Sequence, residues 1–262
     1  MTIVPLTIEA DAEGDGFVPV LPVTVAGREV RMVLDTGAAR TSVPAGDATA
    51  FEDAGTSTVR GALGQVDARS VLVPSVRLGE VEVTGLTAGV RADGDGLLGM
   101  DVLRRHRLDL RTSSRELELD GDAAVPEVHE LTLPSRSHVF LELVLGGQTD
   151  ALAVWDTGAS VSLVDAGIVA SRPELFRPAG ISTGTDAAGV SASSEMVMLP
   201  TFTIFGRRFA PSLAAVVDLA PMRPDGDPEF TVILGWPAIA QADWSFDFRA
   251  GRWGFLAEDA PR

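Results

Sequence analysis

The sequence contains no cysteine, tyrosine, lysine or asparagine. Without cysteine there can be no disulfide, thiolate metal site or cysteine nucleophile. All 21 basic residues are arginine, which removes Schiff-base and lysine-base chemistry. Of the three histidines, His106, His129 and His138, none has metal-ligand spacing and none stands beside a serine suited to nucleophilic attack. They read as surface or helix-end residues. Long apolar runs are missing too, and no segment approaches the roughly 18 residues that a spanning helix needs. Residues 1–16 lack the basic start and apolar run of a signal peptide, so a cytoplasmic protein without a membrane partner is expected. A formal charge of −16 argues against a nucleic-acid partner, because phosphates would be repelled. Arginine, alanine and glycine in the absence of lysine and asparagine suit the GC-rich coding of some bacteria.

The chain repeats itself. "VLDTGAA" at 33–39 and "VWDTGAS" at 154–160 are nearly the same seven letters. The similarity extends outward, since "FVPVLPVTVAGREVRMVLDTGA" and "HVFLELVLGGQTDALAVWDTGA" each predict strand, glycine turn, strand and triplet. Each triplet is followed by a glycine-bearing hairpin pattern, "STVRGALGQVDARSVLV" and "ISTGTDAAGVSASSEMVML". Next come "GLLGMDVL" at 96–103 and "VILGWPAI" at 232–239, each opening one short helix, with Pro237 suited to a first turn. "HRLDLRTSSRELEL" and "DWSFDFRAGRWGFL" then close the halves as hairpins. The polar, turn-rich stretch 120–128 reads as a linker between a first unit over 1–122 and a second over 129–262. "DLAPMRPDGDPEF" in the second half replaces the much shorter "RADGD" of the first and reads as a surface loop. "DGDG" at 93–96 lacks the ligand series and distal glutamate of a calcium loop and reads as a turn. All four tryptophans lie in the second half, so the repeats differ in core packing.

One Asp-Thr-Gly arises by chance in on the order of one chain in twenty of this length. Two in matched surroundings point to shared chemistry. A pseudo-symmetric chain can bring Asp35 and Asp156 face to face, where the pair holds one proton over a broad pH range. One carboxylate then serves as base towards a water molecule while its protonated neighbour acts as acid towards a carbonyl oxygen, with no metal or cofactor. Gly37 and Gly158 let the backbone turn N–H groups towards the carboxylates. The Thr36 and Thr157 hydroxyls can hydrogen-bond across the junction, and the apolar-glycine motifs can brace the loops from below.

These residues resemble the retropepsin-like aspartic proteases, present as two tandem copies in one polypeptide. "GLLGMDVLRRHRLDL" is similar to a segment of the cellular members and "VWDTGASVSLV" to the active-site loop of retroviral and gag-type ones. The resemblance implies an all-β, bilobal, pseudo-two-fold acid-protease fold, two retropepsin-like lobes with one short helix each. It implies Asp35 and Asp156 as the catalytic pair, supported by Thr36, Gly37, Ala38, Thr157, Gly158 and Ala159. It also implies flaps around Gly61, Ala62, Leu63 and Gly64 and around Gly184, Thr185, Asp186 and Gly189. Retroviral enzymes often carry Asp two residues after the triplet and Arg after the apolar-glycine motif. This chain has Ala39 and Ser160, then Met100 and Trp236, and it lacks a flap tyrosine. The implied activity is endopeptidase action on peptide or protein substrates by a monomer. A catalytically silent peptide-binding module and an intermolecular dimer stand as alternatives. Ala38 and Ala159 take the place of the hydroxyl residue of pepsin-like enzymes. Losing that donor raises the carboxyl pKa values, so an optimum of about pH 5–6 is expected.

Overall fold

The computed structural model describes residues 2–11, 14, 16–61, 64–92, 94–131, 138–186, 189–223 and 228–257. It is an all-β molecule with short helical turns only. Alternation sets the strands. In Arg28–Leu34, Val30, Met32 and Leu34 are buried in the lobe core while Arg31 and Val33 face the other way. Thr149–Trp155 repeats this, with Ala153 and Trp155 in the same core and Leu152 and Val154 on the opposite face.

Three sheets result. An eight-stranded sheet contains only first-half strands, from Thr7–Ala10 at one edge to Glu52–Arg60 at the other, and a nine-stranded sheet contains only second-half strands. Their central order corresponds. Arg28–Leu34 pairs in parallel with Gly96–Leu98 as Thr149–Trp155 pairs with Val232–Leu234. Ser42–Pro44 pairs in parallel with Val81–Arg91 as Ser162–Asp165 pairs with Ser212–Val217. Each Asp-Thr-Gly loop thus leaves a central strand and returns beside a neighbour, which fixes both of its ends.

The third sheet joins the halves. Its six strands run in the order Thr2–Pro5, Glu116–Leu119, Arg107–Arg111, Trp244–Asp247, Arg252–Phe255 and His129–Glu130. The seam pairs Leu108 with Phe246 and Leu110 with Trp244, all buried. Asp109, fully buried there, accepts from Arg107 at 2.9 Å and from Ser245 across the seam at 2.5 Å. Second-half aromatics thicken this core, with Trp155 against Phe246 at 4.4 Å between ring centres and Trp244 against Phe255 at 4.8 Å.

Two features depart from expectation. Each half carries two short α-helices among the described residues, Ala45–Ala48 and Met100–Leu103, then Ala166–Ser171 and Trp236–Ile239. The added ones follow the strand after each loop, and an Asp165 carboxylate caps Ala166–Ser171 by accepting from Gly167 N at 2.8 Å. The long second-half loop is also more than a surface excursion. Its Leu219 and Phe230 are buried, and with Met222 they cover Phe140, Val154 and Ile233. Arg223 pins it, donating to Asp165 at 2.9 Å and to the Phe230 carbonyl at 3.0 Å. Among the described residues no helix is long and apolar enough to cross a membrane.

Candidate active site

The two Asp-Thr-Gly loops meet back to back. Thr36 N donates to Thr157 Oγ1 at 3.1 Å, and Thr157 N donates to Thr36 Oγ1 at 3.0 Å. Each hydroxyl then donates to a carbonyl of the opposite half, Thr36 to Trp155 at 2.9 Å and Thr157 to Leu34 at 2.6 Å. Both threonines are fully buried, so each hydroxyl satisfies groups that no water reaches.

This grip brings the aspartates together. Gly37 N donates to Asp35 Oδ1 at 3.0 Å and also reaches Asp156 Oδ1 at 3.2 Å, so one N–H spans both carboxyls. Ala38 N donates to Asp35 at 2.8 Å and Gly158 N to Asp156 at 2.9 Å. A side chain on Gly37 would collide with the Asp156 carboxyl, and one on Gly158 with that of Asp35. The triplet needs glycine because the other half's carboxylate occupies that space.

The apolar-glycine motifs hold the loops from behind, in matched fashion. Asp35 N donates to Leu98 O at 3.1 Å and Asp156 N to Leu234 O at 3.0 Å. Met100 N donates to Ala38 O and Trp236 N to Ala159 O, both at 2.8 Å. Gly99 N donates to Thr41 Oγ1 and Gly235 N to Ser162 Oγ, both at 3.1 Å. In the first half Asp101 adds a clamp, accepting from Thr41 N at 2.9 Å and from its hydroxyl at 2.7 Å.

Asp35 is buried and Asp156 half-buried. Loss of hydration pushes both carboxyls above their ordinary range, and the Asp156 charge drives Asp35 further, to about 7. Backbone N–H donors and the Arg91 charge pull Asp35 the other way without overcoming burial. Such a pair holds a single proton in the mildly acid range.

The hairpins Glu52–Arg60/Gln65–Leu78 and Arg177–Thr185/Ser191–Leu199 meet at their tips. Gly64 N donates to Asp186 Oδ2 at 3.1 Å, while Val190 N donates to Asp186 Oδ1 at 2.9 Å, so one carboxylate ties the two hairpins. A side chain on Gly61 would run into that carboxylate. Gly189 turns the second tip at φ +79°, whereas Gly184 and Thr185 close the strand before it. Ala62 and Leu63 lie outside the described residues.

The histidines are not simple surface groups. His138, half-buried just before Val139–Leu145, lies with Nε2 3.0 Å from the Gly37 carbonyl, against the Asp-Thr-Gly loop of the other half. Its counterpart in the first half is Phe17, whose N donates to Ser160 O at 3.2 Å. Aligning the two 22-residue segments places His138 at this position, and that signal could have singled it out. His129 sits in the joining sheet with its ring 3.9 Å from that of Phe205, and only His106, buried and 2.7 Å from Asp120, is at a helix end.

Residues 21–105 match the model of a family described as "gag-polyprotein putative aspartyl protease". The match contains the first Asp-Thr-Gly loop, its hairpin and its apolar-glycine motif, and supports a protease as the general class. A comparison with curated proteins finds no match.

Proposed function

We propose that the chain is an aspartic endopeptidase with one active site shared by two tandem retropepsin-like halves. The observation that carries this reading is the Gly37 N–H lying within hydrogen-bond distance of both Asp35 and Asp156. A binding module has no need of two carboxylates, one buried and one half-buried, that share a single N–H, because their mutual repulsion is costly. In the proposed reaction a water molecule lies between the carboxyls. The ionised one takes its proton as the oxygen attacks the peptide carbonyl carbon, and the protonated one gives its proton to the carbonyl oxygen. Return of protons, one of them to the amide nitrogen, breaks the C–N bond and frees acid and amine. No metal or cofactor takes part.

The substrate is an extended peptide or protein segment beneath the hairpin tips. Because the threonine grip lies within one chain, the active form is a monomer, and a cytoplasmic setting suits a pair that holds its proton towards neutrality. The test is incubation with a diverse peptide library between pH 4 and 7, with and without a statine inhibitor that mimics the tetrahedral intermediate. Cleavage blocked by the statine, at a specific activity unchanged on dilution, is expected. Absence of cleavage across the library would overturn the assignment.

A further inference from the structure

The two Asp-Thr-Gly loops are alike in their bonds but not in what backs them. Behind the second lies an apolar cluster that includes Ala215 and Val217, with Leu163 packed against it. Strand register puts Ser42, Gly89 and Arg91 at the matching places behind the first. With less apolar packing on that face, the first loop depends more on polar bonds. One set is the Asp101 clamp on Thr41. Another comes from the opposite half, at His138.

His138 stands in the second half where Phe17 stands in the first, at the head of the strand pair that delivers the triplet. The next residue, Val139, lies opposite Trp155, which directly precedes Asp156. From there the His138 Nε2 lies 3.0 Å from the Gly37 carbonyl oxygen. A carbonyl oxygen only accepts, so Nε2 carries the proton and donates it. The second half therefore holds Gly37 at both ends, its N–H reaching Asp156 Oδ1 at 3.2 Å and its C=O receiving His138. The Phe17 side chain has no donor to supply the mirror-image bond. The first half offers its main chain instead, Phe17 N donating to Ser160 O at 3.2 Å.

The carbonyl that His138 grips belongs to the same peptide group as the Ala38 N–H. That N–H donates to Asp35 Oδ1 at 2.8 Å, closer than the 3.0 Å of Gly37 N. Because the peptide group is planar, fixing the oxygen also fixes the direction in which the N–H points. A donor on the oxygen draws electron density from the nitrogen, so hydrogen bonds in a chain reinforce one another. We propose that His138 is a positioning residue: from the second half it orients and polarises the Gly37–Ala38 peptide, and through it aims the Ala38 N–H at Asp35. This rests on the endopeptidase reading and adds to it a residue outside both triplets.

In the wild-type protein, nitrogen-15 spectra of the His138 ring should show a protonated Nε2. A bare Nε2 would overturn the proposal without any variant. His138→Phe, which installs the first-half residue, should lower kcat about tenfold at little-changed KM, the worth of one hydrogen bond. In the same variant the Ala38 amide proton should move upfield as its bond to Asp35 weakens. His138→Gln keeps an N–H donor and should return both kcat and the Ala38 resonance towards wild type. A side chain that only supported the fold would lower the melting temperature but leave kcat per folded molecule and the Ala38 resonance unchanged. That result, or failure of His138→Gln to rescue, would overturn the positioning role. If no form cleaves any peptide but the Ala38 resonance shifts in His138→Phe and returns in His138→Gln, the endopeptidase reading falls and the hold on Asp35 stands.

Discussion

Around Asp35 and Asp156 the two halves are near copies, in the threonine exchange, the glycine approaches and the bonds to the apolar-glycine motifs. One layer away they part, with a cation and small polar residues behind the first loop and packed aliphatic and aromatic groups behind the second. The same division appears in the cores, where the second half is dense with tryptophan and phenylalanine. Geometry that both carboxylates share tolerates little divergence, because each loop is the other's wall. A face that lies behind one loop only carries no such mutual constraint.

Breaking the symmetric part should have the largest effect. Asp35→Asn and Asp156→Asn should each lower kcat/KM by about a thousandfold or more with the fold intact, because either change removes the shared proton. Near-native turnover in one variant, with folding checked by circular dichroism, would mean that the carboxylates do not act as a pair. Next come the threonines. Thr36→Val and Thr157→Val each remove the acceptor for a buried N–H and the donor to a buried carbonyl, a loss of about 2–4 kcal/mol. The mirrored geometry predicts similar values for both in denaturant unfolding, and a large disparity would show that the grip is one-sided.

The pH dependence is a subtler test. Asp35 has its folded pKa raised from 3.8 to about 7, so between these values the folded state binds more protons than the unfolded one. Stability from this group is therefore lost as pH rises through that window. Asp120, pulled down beside His106, contributes the opposite slope at lower pH, where its stabilisation is lost on acidification. The melting temperature should fall between pH 5 and 7 in wild type and fall less in Asp35→Asn. The pH–rate optimum should lie at about pH 5–6, and Ala38→Ser should move it downward by adding a donor to the carboxylate. An optimum at about pH 2–3 would refute this account. The smallest effect is expected at the hairpin tips, where Asp186→Asn weakens the tie to Gly64. Amide exchange at Gly64 should quicken and KM rise a few-fold at unchanged kcat. Unaltered exchange would leave the tie without consequence.

Features written within a few residues were legible beforehand. The triplets, the hairpins after them and the helix-opening glycines each have a local cause, whether a turn, an alternation or a close approach. The extra helices are too short for periodicity to register, although the Asp165 cap was a usable signal. Contacts made at long range were not legible. His138 reaches a carbonyl 101 residues earlier, and Asp186 meets a hairpin tip 122 residues away. The burial of Leu219 and Phe230 was hidden by the prolines and aspartates around them, which read as solvent-facing.

The six-stranded joining sheet also sets a timetable. Its seam needs Trp244–Asp247 and Arg252–Phe255, the last strands in chain order among the described residues, beside Arg107–Arg111. A ribosome adding about 5–20 residues per second exposes Asp156 roughly 5–20 s before those strands are complete. During that interval both carboxylates exist on one nascent chain while the halves are still unlatched from each other. Chains ending just before Trp244 should accordingly be inactive in a peptide assay although they contain both triplets, and activity in such a chain would refute the idea. On the proposed reading, cleavage thereby waits for the seam between the halves to close.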